Sequence, residues 1–286
     1  MAKHGLFVGL VTLDLIYLAD APPLANQKIV AQDTTIAAGG PATNAAIAFQ
    51  QLGNSATLIA AIGSHPICHL IRSDLQACGV QTVDLAPTKT ESPPVSSIVV
   101  TKSTGDRAVV SINAVRSQID PDCISPDILD DIDVVLIDGH QMAIGAKLAE
   151  EAQARNIPVV IDAGSWKPGF ETVLPWVDYA ICSANFHPPT DQSVFEYLRS
   201  FGISHIAITH GNNAIELPET QINVPQVPVV DTLGAGDIFH GAFCHYILMC
   251  DFHTALSKAA QIAAYSCQFF GTREWRKYQT YNNEAD

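Results

Sequence analysis

The sequence is short of positive charge. Its 286 residues include 15 Lys and Arg against 29 Asp and Glu, a formal net charge of −14. A nucleic-acid binder needs a basic face to displace phosphate counterions, and an anionic membrane surface attracts the same kind of face, so both classes are set aside. Charge of either sign is scarce, at 15% of residues against roughly 25% in an average soluble domain. No uncharged apolar run approaches the ~18 residues of a membrane span. The stretch from Phe239 to Cys250 is apolar but short, and it contains His240 and His245. The N-terminus runs straight into a strand-like stretch without the apolar core and small-residue cleavage site of a secretory signal, which sets the expectation of a cytoplasmic protein. None of the seven cysteines forms a C-x-x-C pair, so they read as reduced thiols in apolar surroundings. Familiar catalytic signatures are missing as well. No Lys follows a Gly, so there is no G-x-x-x-x-G-K-[ST] phosphate loop, and the first strand is not followed by G-x-G-x-x-G. Neither G-x-S-x-G nor H-E-x-x-H occurs.

What is present is a large apolar fraction, 48%, enough for a substantial core. Strand-like runs at Leu6–Leu10, Ala56–Ile62, Val134–Asp138, Val159–Asp162, Tyr179–Cys182 and His205–Thr209 alternate with helix-like segments at Ala42–Leu52, Ile67–Cys78, Met142–Arg155 and Ser193–Phe201. Two long helices, Asp237–Cys250 and Phe252–Phe270, follow. That alternation predicts an α/β fold, a central mostly parallel sheet with helices on both faces. Two strand-rich pieces, about 15–38 and 92–114, interrupt it. Val95–Thr101 and Arg107–Ala114 read as a hairpin around Ser103-Thr104-Gly105-Asp106. The expectation is a single domain over residues 1–286 with a small β-sheet lid.

The chemistry concentrates in Asp231-Thr232-Leu233-Gly234-Ala235-Gly236-Asp237, followed by an apolar helix. Small residues let backbone amides approach a ligand closely, and free N–H groups at a helix N-terminus favour an anion. Asp237 alone could be a helix cap, but capping does not require Gly-Ala-Gly before it. A carboxylate beside an anion hole is what phosphoryl transfer to a hydroxyl needs: a base for the acceptor and amides for the moving charge.

Asp231–Asp237 resembles the D-T-x-G-A-G-D signature of the ribokinase-like (PfkB) family of carbohydrate kinases. Gly39-Gly40-Pro41-Ala42-Thr43-Asn44 is similar to its second signature, a Gly-Gly pair with Asn shortly after, and Gly9-Leu10-Val11-Thr12-Leu13-Asp14 is similar to its first strand with a sugar-binding Asp. The opening and Asp231–Asp237 look closest to the ketohexokinase branch. Gly39–Ala42 and Asp237–Ala242 look closer to the sulfofructose kinase branch. The resemblance implies a ribokinase-like fold and ATP-dependent phosphorylation of a small sugar, with ATP and Mg²⁺ as cofactors, a monovalent cation as a further candidate, and a homodimer through the lid. It implies Asp237 as base, the amides of Gly234, Ala235 and Gly236 as anion hole, and Asp14, Gly39, Gly40 and Asn44 as sugar contacts. Arg107 matches a lid Arg that reaches the active site, a surface Arg being the alternative. Asn185, Thr209 and Gly211, with Gly236, match nucleotide-site positions.

The departures also sit in the site. Pro188 replaces the Glu of N-x-x-E, which relatives link to Mg²⁺ and phosphate, and Ala214 replaces a Gly of T-x-G-x-x-G. Pro41 stands where ribokinases carry Lys and ketohexokinases Asn, and Thr12 where ribokinases carry Asn, so ribose is not to be assumed. His140 stands where the other two branches carry Arg and is a candidate substrate contact. Lys167 and Arg273 are candidate anion contacts, with a solvated loop Lys as the alternative for Lys167. A nucleoside kinase, or a non-catalytic sugar or nucleotide sensor on the same fold, is the competing function.

Overall fold

The structure is a computed structural model that describes residues 2–112 and 118–277. Its larger sheet has nine strands in the order β13-β12-β11-β10-β9-β8-β1-β4-β5. The parallel part comprises β1 (His4–Val8), β4 (Ser55–Ala60), β5 (Gln81–Asp84), β8 (Val134–Ile137), β9 (Val159–Ala163), β10 (Tyr179–Ser183) and β11 (His205–Thr209). Two short antiparallel strands, β12 (Ile215–Glu216) and β13 (Gln221–Ile222), extend one edge.

The central strands are near-continuous apolar runs because both faces are covered. Phe7, Leu58, Leu136, Val160 and Ile181 pack with α1 (Pro41–Gln51), α6 (Ala235–Ile247) and α7 (Phe252–Ser266). Their neighbours Leu6, Val8, Val135, Ile137, Ile161 and Cys182 face the other way, onto α3 (Met142–Ala154), α4 (Phe170–Val173) and α5 (Val194–Arg199). Helix α2 (Cys68–Ala77) buries Cys68, Ile71 and Leu75 in the first of these cores and ends before Gly79, whose φ of 77° only glycine adopts freely.

The smaller sheet has the order β3-β2-β6-β7, with β2 (Thr12–Ala19), β3 (Asp33–Gly39), β6 (Val95–Thr101) and β7 (Arg107–Ser111). Its outer pairs are antiparallel, and the central pair β2/β6 is parallel. The hairpin turn closes as its sequence predicts: Gly105 takes φ 72°, and its N–H donates to the Thr101 carbonyl at 2.8 Å. The end of the expected strand at Ala114 falls outside the described residues. The sequence expectation of the first element is corrected here. The first strand stops at Val8, and Asp14 belongs to β2 of the smaller sheet rather than to the loop after β1. The switch occurs at Gly9, where a side chain would overlap the Asp138 carboxylate.

Candidate active site

The loop before α6 is fixed from below. Asp231, 2% exposed, accepts from the N–H of Leu233 at 2.8 Å and of Gly271 at 2.8 Å, which ties the loop to the chain after α7. Burial raises its carboxyl above the ordinary value against those two hydrogen bonds. Gly234 then turns the chain into the helix at φ 72°, with the Thr272 methyl 2.8 Å from where a Cβ would sit. At Gly236 a Cβ would meet nothing within 4 Å, so the mouth of α6 is open to a ligand at the end where helix amides lack intrahelical acceptors.

Asp237 lies in that first turn, half-buried. Asn44 Nδ2 donates to its Oδ2 at 2.8 Å, and Arg273 Nη1 donates to Asn44 Oδ1 at 3.1 Å. Arg273 in turn pairs with Asp74, Nη2 to Oδ2 at 2.9 Å, and donates to the Ala38 carbonyl and to Thr272. The Asn44 amide is thereby held in one orientation, its NH₂ toward Asp237. Burial and the neighbouring Asp162 carboxylate push the Asp237 carboxyl up to about 7, against the Asn44 hydrogen bond, His240 and Arg107. That value suits a base working near neutrality.

Asp14 is buried and accepts from Thr12 Oγ1 at 2.7 Å. Burial raises its carboxyl too, opposed by hydrogen bonds from Thr12 and Ser96 and by Arg273. Gly39 is required because a side chain there would overlap the Asp14 carboxylate, and Gly40, at φ 104°, passes directly over the Leu10 carbonyl.

A cavity of about 380 Å³ opens at the C-terminal ends of β1, β8 and β9, lined by Leu10, Pro41, Asp138, His140, Asp162, Ser165 and Lys167 among others. Asp138 organises this wall. Its carboxylate accepts from the N–H of Leu10 at 2.8 Å, Ala42 at 3.0 Å and His140 at 3.0 Å, and meets His140 Nδ1 at 3.1 Å. Burial would raise Asp138, but His140 and these hydrogen bonds together outweigh it and hold the carboxyl below its ordinary value. Lys167 Nζ reaches Ser165 through its carbonyl at 3.2 Å and its hydroxyl at 3.4 Å, and it makes no ion pair among the described residues.

The remaining candidates divide. Arg107 reaches from β7 to the loop before α6, its Nη1 donating to Thr232 Oγ1 at 3.1 Å and to the Thr232 carbonyl at 3.3 Å. Asn185, Thr209 and Gly211 sit at the ends of the paired strands β10 and β11, where Ala184 N–H donates to the Thr209 carbonyl at 3.0 Å. Among the described residues no hydrogen bond joins those three to the Asp237 cluster. Arg273, read from sequence as an anion contact, is occupied by Asp74 and Asn44. Sequence reasoning missed the roles of Asp138, Asp74 and Thr12 as orienting groups, and of Asp162 beside Asp237. Only the position of Asp138 and Asp162 at parallel strand ends hinted at a part for them.

A sequence model described as pfkB family carbohydrate kinase matches residues 3–277. The chain is 24% identical over 281 residues to ribokinase from Bacillus subtilis (strain 168), covering 93% of each protein. A crystal structure from Agrobacterium tumefaciens superposes with a TM-score of 0.83 at 24% identity, covering 97% of this chain and 96% of that one. A structure of Arabidopsis thaliana ribokinase complexed with ribose and ATP superposes with a TM-score of 0.73 at 20% identity, covering 98% and 100%.

Proposed function

The chain belongs to the pfkB family of carbohydrate kinases, and from that membership we propose that it transfers the γ-phosphate of ATP to a hydroxyl of a small sugar, with Asp237 as the general base. The observation that carries this reading is the pairing of Asp237, pushed up to about 7, with an open helix N-terminus in the same turn. The acceptor hydroxyl would lie against the Asp237 carboxylate, lose its proton to it and attack the γ-phosphorus. The leaving β-phosphate oxygen would depart on the far side. The amides of Gly234, Ala235 and Gly236 would stabilise the charge that spreads over the transferring group. Asp14, Asn44 and the Gly39-Gly40 backbone would hold the sugar, and Asn185, Thr209 and Gly211 the nucleotide. Mg²⁺ would accompany ATP, bound chiefly by its phosphates and water, since this ion keeps several waters and needs few protein ligands. Among the described residues no group of three or more His, Cys, Asp or Glu is placed to hold a metal, and Pro188 offers no carboxylate, so no resident metal enters the scheme.

The cavity beyond Pro41 leaves room for a substrate larger than the part held by Asp14 and Asn44, with His140 and Lys167 on its wall. Ribose is the first sugar to test, because ribokinases are among the relatives. An ATP-consumption screen over aldoses, ketoses, polyols and sugar acids, with the product mapped by NMR, identifies the substrate and the phosphorylated hydroxyl. Asp237→Asn is expected to lower kcat by roughly 10²- to 10⁴-fold while calorimetry still detects the sugar. Near-normal turnover in this variant would remove Asp237 as the base. A non-catalytic sensor, suggested by Pro188 and Ala214, would instead bind sugar or nucleotide in that screen without consuming ATP.

A further inference from the structure

Directly beneath the mouth of α6 lies a buried polar pair with no part in the scheme above. His240 is one helical turn after Gly236, with 6% of its side chain exposed, and Asp162 is the last but one residue of β9, with 8%. His240 Nδ1 lies 2.7 Å from the Gly236 carbonyl oxygen and 3.5 Å from Asp162 Oδ2, and Nε2 lies 3.4 Å from the Ile181 carbonyl oxygen. Every polar partner of the ring is an oxygen acceptor. A neutral imidazole has one N–H and one lone pair, so either tautomer would turn a lone pair toward oxygen. Protons on both nitrogens give each of the two carbonyl oxygens a donor and place the positive charge 3.5 Å from Asp162 Oδ2, its countercharge. Burial raises the Asp162 carboxyl above its ordinary value and Asp138 adds to that, while His240 leads the groups that favour its charge, ahead of Lys167 and His140. Among the described residues the carboxylate makes no side-chain hydrogen bond, so the His240 ring, 3.5 Å away, is the partner the geometry offers it.

The Gly236 carbonyl belongs to the same peptide unit as the Asp237 N–H. In a helix the two point in opposite directions along the axis, so a donor fixed on the carbonyl fixes the amide that faces out of the N-terminus. A charged donor also polarises the unit, strengthening the N–H for an anion. We infer that Asp162 and His240 form a buried ion pair that clamps the Gly236–Asp237 peptide, making His240 a positioning residue for both the anion hole and the base. This rests on the kinase reading of Asp237. The two members also act on the base with opposite signs: Asp162 pushes the Asp237 carboxyl up and His240 draws it down, alongside Asn44 and Arg107.

The experiment has two arms. In the resting protein at pH 7, ¹⁵N NMR of labelled histidine, with His240 assigned through His240→Gln, is expected to show both ring nitrogens protonated, and Asp162→Asn is expected to convert the ring to one neutral tautomer. A neutral His240 in the wild type overturns the ion pair. In the kinetic arm, Asp162→Asn is expected to move the acid limb of the kcat/KM profile to lower pH by a small margin, because the Asp162 effect on Asp237 exceeds that of the His240 charge lost with it. His240→Gln is expected to move it to higher pH and to lower kcat roughly 10- to 100-fold, with sugar KM little changed. Shifts in the same direction, or none, overturn the positioning role. If no sugar supports turnover, the kinase reading fails while the NMR arm still decides the pair. If a variant does not fold, the wild-type spectrum decides it.

Discussion

At the residue scale the site depends on holding a carboxylate where it is uncomfortable. An acid raised from its ordinary value to about 7 binds more protons folded than unfolded. Stability is therefore lost as pH rises from about 4 toward 7 and stays lost above it. Asp237→Asn removes the charge and keeps an oxygen for Asn44 Nδ2, so we expect it to raise stability at pH 8, on the order of 1–3 kcal/mol, in the same protein that has lost turnover. An unfolding midpoint at pH 8 no higher than wild type would show that Asp237 is not held at such a cost. Asn44→Leu acts in the opposite sense. It removes the Asn44 hydrogen bond that draws Asp237 down, so the acid limb of kcat/KM should move to higher pH while sugar KM rises; an unmoved limb would separate Asn44 from the base. Asp237 and the glycines before it stand out in the sequence by their own spacing, whereas Asn44 is singled out only by the resemblance to the family. Arg273 was visible only as a scarce cation. That it spends its charge on Asp74 and steadies Asn44 depends on a contact across 199 residues, which no local pattern encodes.

At the element scale the parallel strands were readable because burial on both faces writes them as unbroken apolar runs. Strands at the sheet edge were not: β12 and β13 have two residues each, too few for any period. Helix α6 was read as running to Cys250 and stops at Ile247, because Asp251 caps α7 by accepting from Thr254 N–H at 3.0 Å and the chain must turn before it. The same helix carries a pH-sensitive packing contact. His245, against Phe49, accepts a hydrogen bond at Nδ1 from Asn54 Nδ2 at 2.8 Å if neutral, and burial, with Lys258 nearby, pulls it down to about 4. A histidine depressed in the folded state contributes stability that is complete above its ordinary pKa near 6.5 and is lost as pH falls toward 4. Asp237 gains stability over the same window, so the contribution of His245 shows as a difference: between pH 7 and pH 4.5 we expect wild type to lose roughly 1–3 kcal/mol relative to His245→Gln, read from urea midpoints. An equal drop in the variant would assign acid sensitivity elsewhere.

At the scale of the whole molecule the question is how a chain of net charge −14 can receive a polyphosphate. Backbone amides at the mouth of α6 require no net charge, and one cation, Arg107, works where the smaller sheet meets the loop before α6. The Gly105 carbonyl, at the tip of the β6–β7 turn, accepts from Thr232 Oγ1 at 3.1 Å and from Thr232 N–H at 3.3 Å, and Arg107 from the next strand donates back to Thr232. The smaller sheet is thus fastened to the loop that leads into α6. The family and its fold were legible from two signatures. Nearness to the ketohexokinase and sulfofructose kinase branches is not established by the relatives, which include ribokinases. Arg107→Ala tests whether the fastening matters for function. Arg107 is exposed and the Gly105 contacts remain, so the unfolding midpoint should change by less than about 0.5 kcal/mol. Loss of a cation beside the Asp231–Asp237 loop should lower kcat/KM for ATP by roughly 10- to 100-fold. It should also move the acid limb to higher pH, since Arg107 helps to draw Asp237 down. Arg107→Lys should restore part of the charge effect and less of the loop geometry, because a single ammonium cannot reproduce the planar guanidinium. Unchanged kinetics in Arg107→Ala would mean that the smaller sheet covers the site without entering its chemistry.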